Sequence, residues 1–350
     1  MCIRDRSYTS RNYKYFWSLL PGVLTIMGNL LGGWWVVSNL IFSIGFLALV
    51  EWFMPEDKSQ EHSASPFIPD LILVLHALLQ VLSLTALFYS LHAGRIVGWQ
   101  IFWVAVSTGV HSGSSSLIIA HEMIHRKKKH WQMLGKMLLF SVSNVYFYVD
   151  HLRVHHKWVG TERDPATAKY GESLYAFFLR STFGQIASAW KVEVNRLKSE
   201  KSNPYGFRNY VLTNTLLLLM FYISLVVLLG KIALLVFLLQ SLVANFLLEY
   251  TNYIEHYGLT RNEKERVNET HSWQTDKVIS RFILIDLSRH SDHHFYASKA
   301  YHTLQHYEQS PVLPGGYASA IYMALIPPVW FHVIHKRLTE YHKTLQNSVA

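Results

Sequence analysis

The chain of 350 residues contains one cysteine, Cys2. That excludes a disulfide framework and any all-cysteine metal site. Charge is scarce too, with 16% of residues charged, and what there is leans basic: 32 Lys and Arg against 23 Asp and Glu, a formal +9. In a soluble protein this balance would suit nucleic acid. Here half the residues are apolar and fall in long blocks, so the excess Lys and Arg is read as membrane orientation, with no nucleic-acid partner. A cleavable secretory leader is not expected, because the first 15 residues are polar and no small-residue cleavage site follows an apolar run. Met1–Arg6 has the look of a sequence-assembly artefact.

Six segments reach or approach the roughly 20 residues needed to span a bilayer: 16–32, 35–54, 68–90, 96–120, 209–229 and 232–253. The first two are expected to form a hairpin at Gly32-Gly33, the last two at Gly230-Lys231. Segment 16–32 is short and carries Pro21, so a tilted or partly re-entrant course is expected. The shorter apolar stretches Met133–Tyr148 and Ala318–Ile334 read as interfacial or packed on the bundle. The expected fold is all-α: a polytopic membrane protein of about six transmembrane helices with a cytoplasmic histidine-rich region. It divides into N-terminal membrane helices (1–120), a cytoplasmic histidine-rich segment (121–208), membrane helices five and six (209–253) and a cytoplasmic C-terminal segment completing the metal site (254–350). Six spans leave 30 of the 32 Lys and Arg on one side, with only Arg95 and Lys231 opposite. The positive-inside rule makes the populated side cytoplasmic, and both termini lie there.

Against these absences stand 20 histidines. Nine fall in four motifs: His121-Glu-Met-Ile-His125, His151-Leu-Arg-Val-His155-His156, His256 in Asn-Tyr-Ile-Glu-His-Tyr-Gly, and His290-Ser-Asp-His293-His294. On a helix, positions three and four apart share a face, so each multi-histidine motif aims its imidazoles at one point. Imidazole suits Fe, Zn, Cu and Ni, and nine ligands exceed what one ion takes, so two metals fit. All four motifs fall on the same expected side of the membrane.

Blander readings stand beside each motif. His-Glu-x-x-His alone is a zinc-protease motif with the glutamate as general base. A lone His256 is ordinarily a packed core residue, and its place in an aromatic, acidic run at the end of a span sets it apart. His76 and His111, inside spans, read as packing or hydrogen-bonding groups. His130, His271, His302, His306, His332, His335 and His342 read mostly as surface residues. Glu122, Asp150, Asp164, Glu255 and Asp292 lie within or near the motifs. They suit the carboxylate that fixes a metal-bound imidazole, and equally an ion pair with Arg126, Arg153, Arg163 or Arg289, or direct ligation. Trp34, Trp35, Trp52, Phe53, Phe102 and Trp103 suit a channel wall or, for Trp34, Trp35 and Trp52 especially, the interfacial aromatic belt.

At these residues the chain resembles the integral-membrane alkane 1-monooxygenases of the fatty-acid-desaturase/hydroxylase superfamily. The carriers are His121-Glu-x-x-His125 followed by Arg126-Lys127, the Asp164-Pro165-Ala166 run, Asn252 to Leu259, and Arg289 to His294, in order over about 110–310. Two departures stand out: Asp150 precedes His151 where the family more often has Glu, and Leu-Arg-Val replaces the usual Asn-Arg-Gly. Neither removes a ligand. The resemblance implies two non-haem iron ions held by His121, His125, His151, His155, His156, His256, His290, His293 and His294. It further implies O2-dependent hydroxylation of the terminal carbon of medium- to long-chain alkanes drawn from the bilayer lipids of a bacterial-type inner membrane. Electrons would come from a rubredoxin-type donor with its reductase, since this chain lacks the cysteines for such a site. The other readings are an alkyl-aromatic (xylene-type) hydroxylase, a fatty-acyl desaturase or hydroxylase, an intramembrane zinc protease, and a metal transporter.

Overall fold

A computed structural model describes residues 12–60 and 66–349; Met1–Arg6 and Cys2 lie outside the described residues. Among the described residues the fold is all-helical, with only two isolated bridges, Glu56 to Lys277 and Gln274 to Val312. A 3-10 turn, Tyr15–Leu19, leads into α1, Leu20–Leu31. Then come α2, Gly33–Phe53, and α3, Phe67–His92, α4, residues 100–125, and α5, Lys129–Phe140. Helix α6 covers 147–158 and α7 covers Leu174–Ser199. The pair α8, Tyr210–Leu229, and α9, Lys231–His256, follows. Four helices close the chain: α10, Val278–Ile283; α11, His290–Phe295; α12, Tyr317–Ala324; and α13, Pro327–Val349.

Helices α2, α3, α8 and α9 are long and apolar enough to cross a membrane. Helix α1 has 12 residues with Pro21 in its first turn, where the missing N–H costs nothing. That leaves it short of the roughly 20 residues of a full crossing. Helix α4 is long enough, but His111 and the serines of its π-helical turn, Ser112–Ser116, dilute its apolarity. The expected hairpins are present, and between α8 and α9 the turn rests on Gly230 at φ 87°, where a side chain would be strained. The expected interfacial stretch 133–148 breaks into α5 and the start of α6, and the 318–334 stretch into α12 and α13.

Helices α4 and α9 form the axis of the bundle. Their approach is set by Gly109 and Gly113, one turn apart. A Cβ on Gly109 would lie 2.7 Å from the Gln240 carbonyl, and one on Gly113 would lie 3.0 Å from that of Ala244. Small residues at this spacing allow helix backbones in lipid to touch, which supplies dispersion energy where no hydrophobic effect acts. On its other side α4 meets α5, where a Cβ on Gly135 would lie 3.0 Å from the Ala120 carbonyl. The buried residues Ile119, Ala120, Met123, Ile124, Trp131 and Leu139 knit this pair together beneath the first histidine motif.

The close approach generates a prediction. Gly109→Val drives branched carbons into the α9 backbone and should cost about 1–3 kcal/mol, the usual penalty of overpacking. The thermal midpoint of purified protein in detergent should fall, and bound metal with it. An unchanged midpoint would show that α4 and α9 do not depend on this contact.

Candidate metal centre

Each histidine motif sits where helical geometry turns its rings inward. His121 and His125 occupy one face of the last turns of α4. His151–His155 is a π-helical turn within α6, one residue per turn wider than an α-helix. His256 is the last residue of α9. His290, His293 and His294 lie on the short α11.

The nine imidazoles converge as two groups. His121, His125, His151, His156 and His293 form one; His155, His256, His290 and His294 form the other. Within each group the candidate ligand atoms all lie within 4.8 Å of one another. In the first group the Nε2 atoms of His125, His151 and His156 are separated by 3.0, 3.1 and 3.0 Å, and His293 Nε2 lies 3.1 Å from His156 Nε2. In the second, His294 Nε2 lies 2.9 Å from His290 Nε2. Donors about 2.1 Å from one ion and at right angles to each other are about 3.0 Å apart. Several ring nitrogens, including His121 Nε2, His155 Nε2 and both nitrogens of His256, are buried with no hydrogen-bond partner. Buried polar atoms are normally satisfied, so the arrangement fits metal ions at the two foci.

Burial, followed by the neighbouring imidazoles, holds His151, His156, His290, His293 and His294 well below the ordinary histidine pKa. They are therefore neutral near pH 7, the form that binds metal. Of the five carboxylates, two meet the histidines. Asp164 Oδ2 lies 2.9 Å from His155 Nδ1. Burial alone would raise this carboxyl, but His155, the Thr167 hydroxyl and His256 together bring its pKa below the ordinary value. Glu255 Oε2 lies 3.1 Å from His290 Nε2, and its other oxygen accepts from the Tyr317 hydroxyl at 2.7 Å. Glu122 pairs with Arg126 at 2.7 Å, Asp150 accepts from Ser188, and Asp292 binds Lys299 at 2.5 Å and the Gln305 N–H at 2.6 Å.

Some residues depart from their sequence reading. His271, His302 and His306 are buried, not on the surface. His306 Nδ1 lies 2.6 Å from Asp276, whose carboxylate also receives Arg289 at 3.0 Å. That network clamps the start of α11, and nothing in the spacing around His306 announces it. His335 stacks on Tyr170 at 4.0 Å and lies 2.8 Å from the Tyr257 hydroxyl. His76 meets its expectation, bonded to Ser18 at 2.8 Å and Ser115 at 2.6 Å.

Two apolar cavities lead to the site. The inner one reaches His121, His151, His290 and Glu255. The outer one is bounded by Ser43, Ile44 and Leu47 of α2, with Ser114, Leu247 and Tyr250. They share Ile118, Thr251, Leu284 and Tyr317. Trp34, Trp35, Trp52, Phe53, Phe102 and Trp103 are exposed and line neither, which leaves them to the lipid-facing surface.

A membrane-embedded helical bundle whose histidines gather in two groups at the ends of its helices defines a class: the integral-membrane metalloenzymes rich in histidine. The sequence matches the fatty acid desaturase family over residues 97–324. It is 36% identical to alkane 1-monooxygenase 1 of Pseudomonas aeruginosa over 70% of this chain and 66% of that protein. It is 32% identical to alkane 1-monooxygenase 2 of the same organism over 88% of this chain and 85% of that protein. Identity to the xylene/toluene monooxygenase hydroxylase component of Pseudomonas putida is 28%, over 91% of this chain and 87% of that protein. The chain belongs to the fatty acid desaturase family, in its alkane 1-monooxygenase branch.

The grouping makes a prediction. His125→Ala and His256→Ala each remove one donor from a different group, so each should lower bound metal by roughly one ion per chain while the other focus stays filled. Metal analysis of purified protein reads this directly. Loss of all metal from either variant would mean that the two groups do not load separately, and no loss from His256→Ala would remove it from the ligand set.

Proposed function

We propose that this chain is a membrane di-iron monooxygenase that hydroxylates the terminal carbon of medium- to long-chain alkanes with O2. The observation that carries the reading is a pair of adjoining apolar cavities with four lining residues in common, the outer against α2, a membrane-spanning helix, and the inner against histidines of both groups. An alkane dissolves in the bilayer and has no polar handle, so it needs such an entrance. Bound iron would supply the oxygen activation that no side chain provides for a strong aliphatic C–H bond. The overall change consumes RH, O2, two electrons and two protons and yields ROH and water.

The protein's own groups have distinct tasks in this reading. The nine histidines hold the metals, five at one focus and four at the other. Asp164 fixes His155 through Nδ1, so that Nε2 faces its focus. Phe147, Leu287 and Leu248 dry the approach to the histidines. The zinc-protease reading asks Glu122 to serve as general base beside a metal-bound water. That carboxylate is instead bound to Arg126, which also reaches Asp70 at 3.4 Å. Nitrogen separations near 3.0 Å also fit right-angled ligands better than tetrahedral zinc, whose donors stand about 3.4 Å apart. The greater identity to alkane 1-monooxygenases favours alkanes over alkyl-aromatics.

In the membrane the chain makes six crossings, α4 and α1 joining the four long apolar helices, with α1 crossing together with the Tyr15–Leu19 turn that leads into it, and the metal end lies on the cytoplasmic side of a bacterial inner membrane. Electrons arrive from a soluble rubredoxin-type donor and its reductase. A surface concavity lined by Arg163, Lys169, Arg180 and Arg261, with Glu162 and Glu263 also in its wall, lies over the buried Asp164 that meets His155. Arg153 and Lys157 flank the same motif.

Gas chromatography of products from cells given a series of n-alkanes tests the activity: primary alcohols of matching length are expected, and their absence across the series would overturn it. For the donor, the Arg153→Glu, Lys157→Glu double variant should slow donor-supported turnover at low salt, with the gap closing as ionic strength rises. A folded, metal-loaded variant as fast as the parent at low salt would defeat docking on this face.

A further inference from the structure

The two cavities share four lining residues, Ile118 of α4, Thr251 of α9, Leu284 and Tyr317, which form the neck for any chain passing from one to the other. Three of the walls are aliphatic or small. The fourth is a tyrosine fixed at both ends. Its N–H donates to Ser280 Oγ at 2.7 Å, and its carbonyl accepts from the Tyr250 hydroxyl at 2.6 Å. Its own hydroxyl donates to Glu255 Oε1 at 2.7 Å.

Behind it stands a second buried carboxylate, Glu51 of α2. Glu51 Oε1 accepts from the Ser280 N–H at 3.0 Å and its hydroxyl at 2.5 Å, and Oε2 accepts from the Ser319 N–H at 2.7 Å. Residue 316, next to the tyrosine, is glycine because the Glu51 carboxylate fills the space: a Cβ there would lie 2.0 Å from Glu51 Cδ. Helix α12 therefore starts pinned to a membrane-spanning helix, and Tyr317 is its first residue.

We propose that Tyr317 is a positioning residue with two separable duties, its ring forming the rigid wall of the neck and its hydroxyl aiming Glu255 at the four-histidine group. The inference rests on the alkane reading for the first duty only. A linear chain end threads the neck, whereas a methylene further along the chain must fold past the ring to reach the same depth. The neck thus selects the terminal carbon, and the aliphatic walls opposite the ring set how strictly. The second duty runs through the Glu255 carboxylate, whose other oxygen lies 3.1 Å from His290 Nε2. Without the Tyr317 hydroxyl that carboxylate loses its donor in a buried site and turns away from the orientation that meets His290.

Three variants separate the duties: Tyr317→Phe, which keeps the ring, Glu255→Gln, and Leu284→Ala, which widens the neck away from the ring. Two readings are taken on each: the optical spectrum of the protein loaded with cobalt(II), and the ratio of 1-decanol to 2-decanol formed from n-decane. Tyr317→Phe should shift the cobalt bands and lower kcat on the order of tenfold, with the alcohol ratio unchanged. Glu255→Gln should shift the same bands, and the double variant should add little to either alone. Leu284→Ala should leave the cobalt bands in place and raise the share of 2-decanol severalfold. Parent-like bands in Tyr317→Phe would overturn the second duty, and an unchanged alcohol ratio in Leu284→Ala the first. If the parent itself forms no decanol, the alkane reading and the first duty fall together, while the cobalt spectra still decide the second.

Discussion

Nine imidazoles pressed together, seven of them buried and two half-buried, are unfavourable in a protein without a charge to gather around. Their nitrogens approach to 2.9–3.1 Å, and several have no donor or acceptor to meet. Each such group buried unsatisfied costs on the order of 1–3 kcal/mol. The fold has to supply that energy or the metals do. The α4–α9 crossing at Gly109 and Gly113 lies several turns before the ends of the two helices that carry His121, His125 and His256. Backbone contact there sets how the two histidine-bearing helices run beside each other.

The carboxylates show how the remaining ligands are brought to those helix ends. Only Asp164 and Glu255 touch a motif histidine. The others hold scaffold. Arg126, between Glu122 and Asp70, ties the end of α4 to the start of α3. Asp292 binds Lys299 and the Gln305 N–H, folding the segment after α11 back under it. Arg289, at the start of α11, reaches Asp276 and the carbonyls of Leu304 and Ser59. A short helix of six residues has little stability of its own. These charge-assisted bonds are what let α11 deliver three histidines to two different groups.

Much of this was legible in the sequence, for reasons that can be named. The long apolar runs of α2, α3, α8 and α9 carry their own length signal, and the glycines at 32–33 and 230 mark the hairpins. The histidine motifs are legible because helical spacing puts i and i+4 on one face. Their partition was not. His155 and His156 are neighbours in sequence yet belong to different groups, as do His293 and His294, because successive residues of a helix point about 100° apart. Tyr317, Glu51 and His306 carry no spacing signal, since each gains its role from a partner far along the chain: Glu255, Ser319 and Asp276. The weak hydropathy of α4 also misleads in one direction only. Its serines and His111 face other helices and not lipid, as His76 bonded to Ser115 and Gln80 bonded to Ser112 show.

The C-terminal segment completes both the metal site and the cavity, and the reason is visible in how it is attached. Helix α12 is pinned by Glu51 to α2, which lines the outer cavity, and through Tyr317 to Glu255, which borders the inner one. One rigid connection therefore sets the distance from the outer cavity to the histidines. A cavity built this way does not need to close around a featureless chain by recognising it, because an alkane offers dispersion contacts alone and no hydrogen bond to read. Selectivity has to come from shape held still. The polar groups at its wall are therefore spent on the wall itself: Ser280 and Tyr250, which line the outer cavity, bond the backbone of Tyr317, and Glu51 holds Ser280.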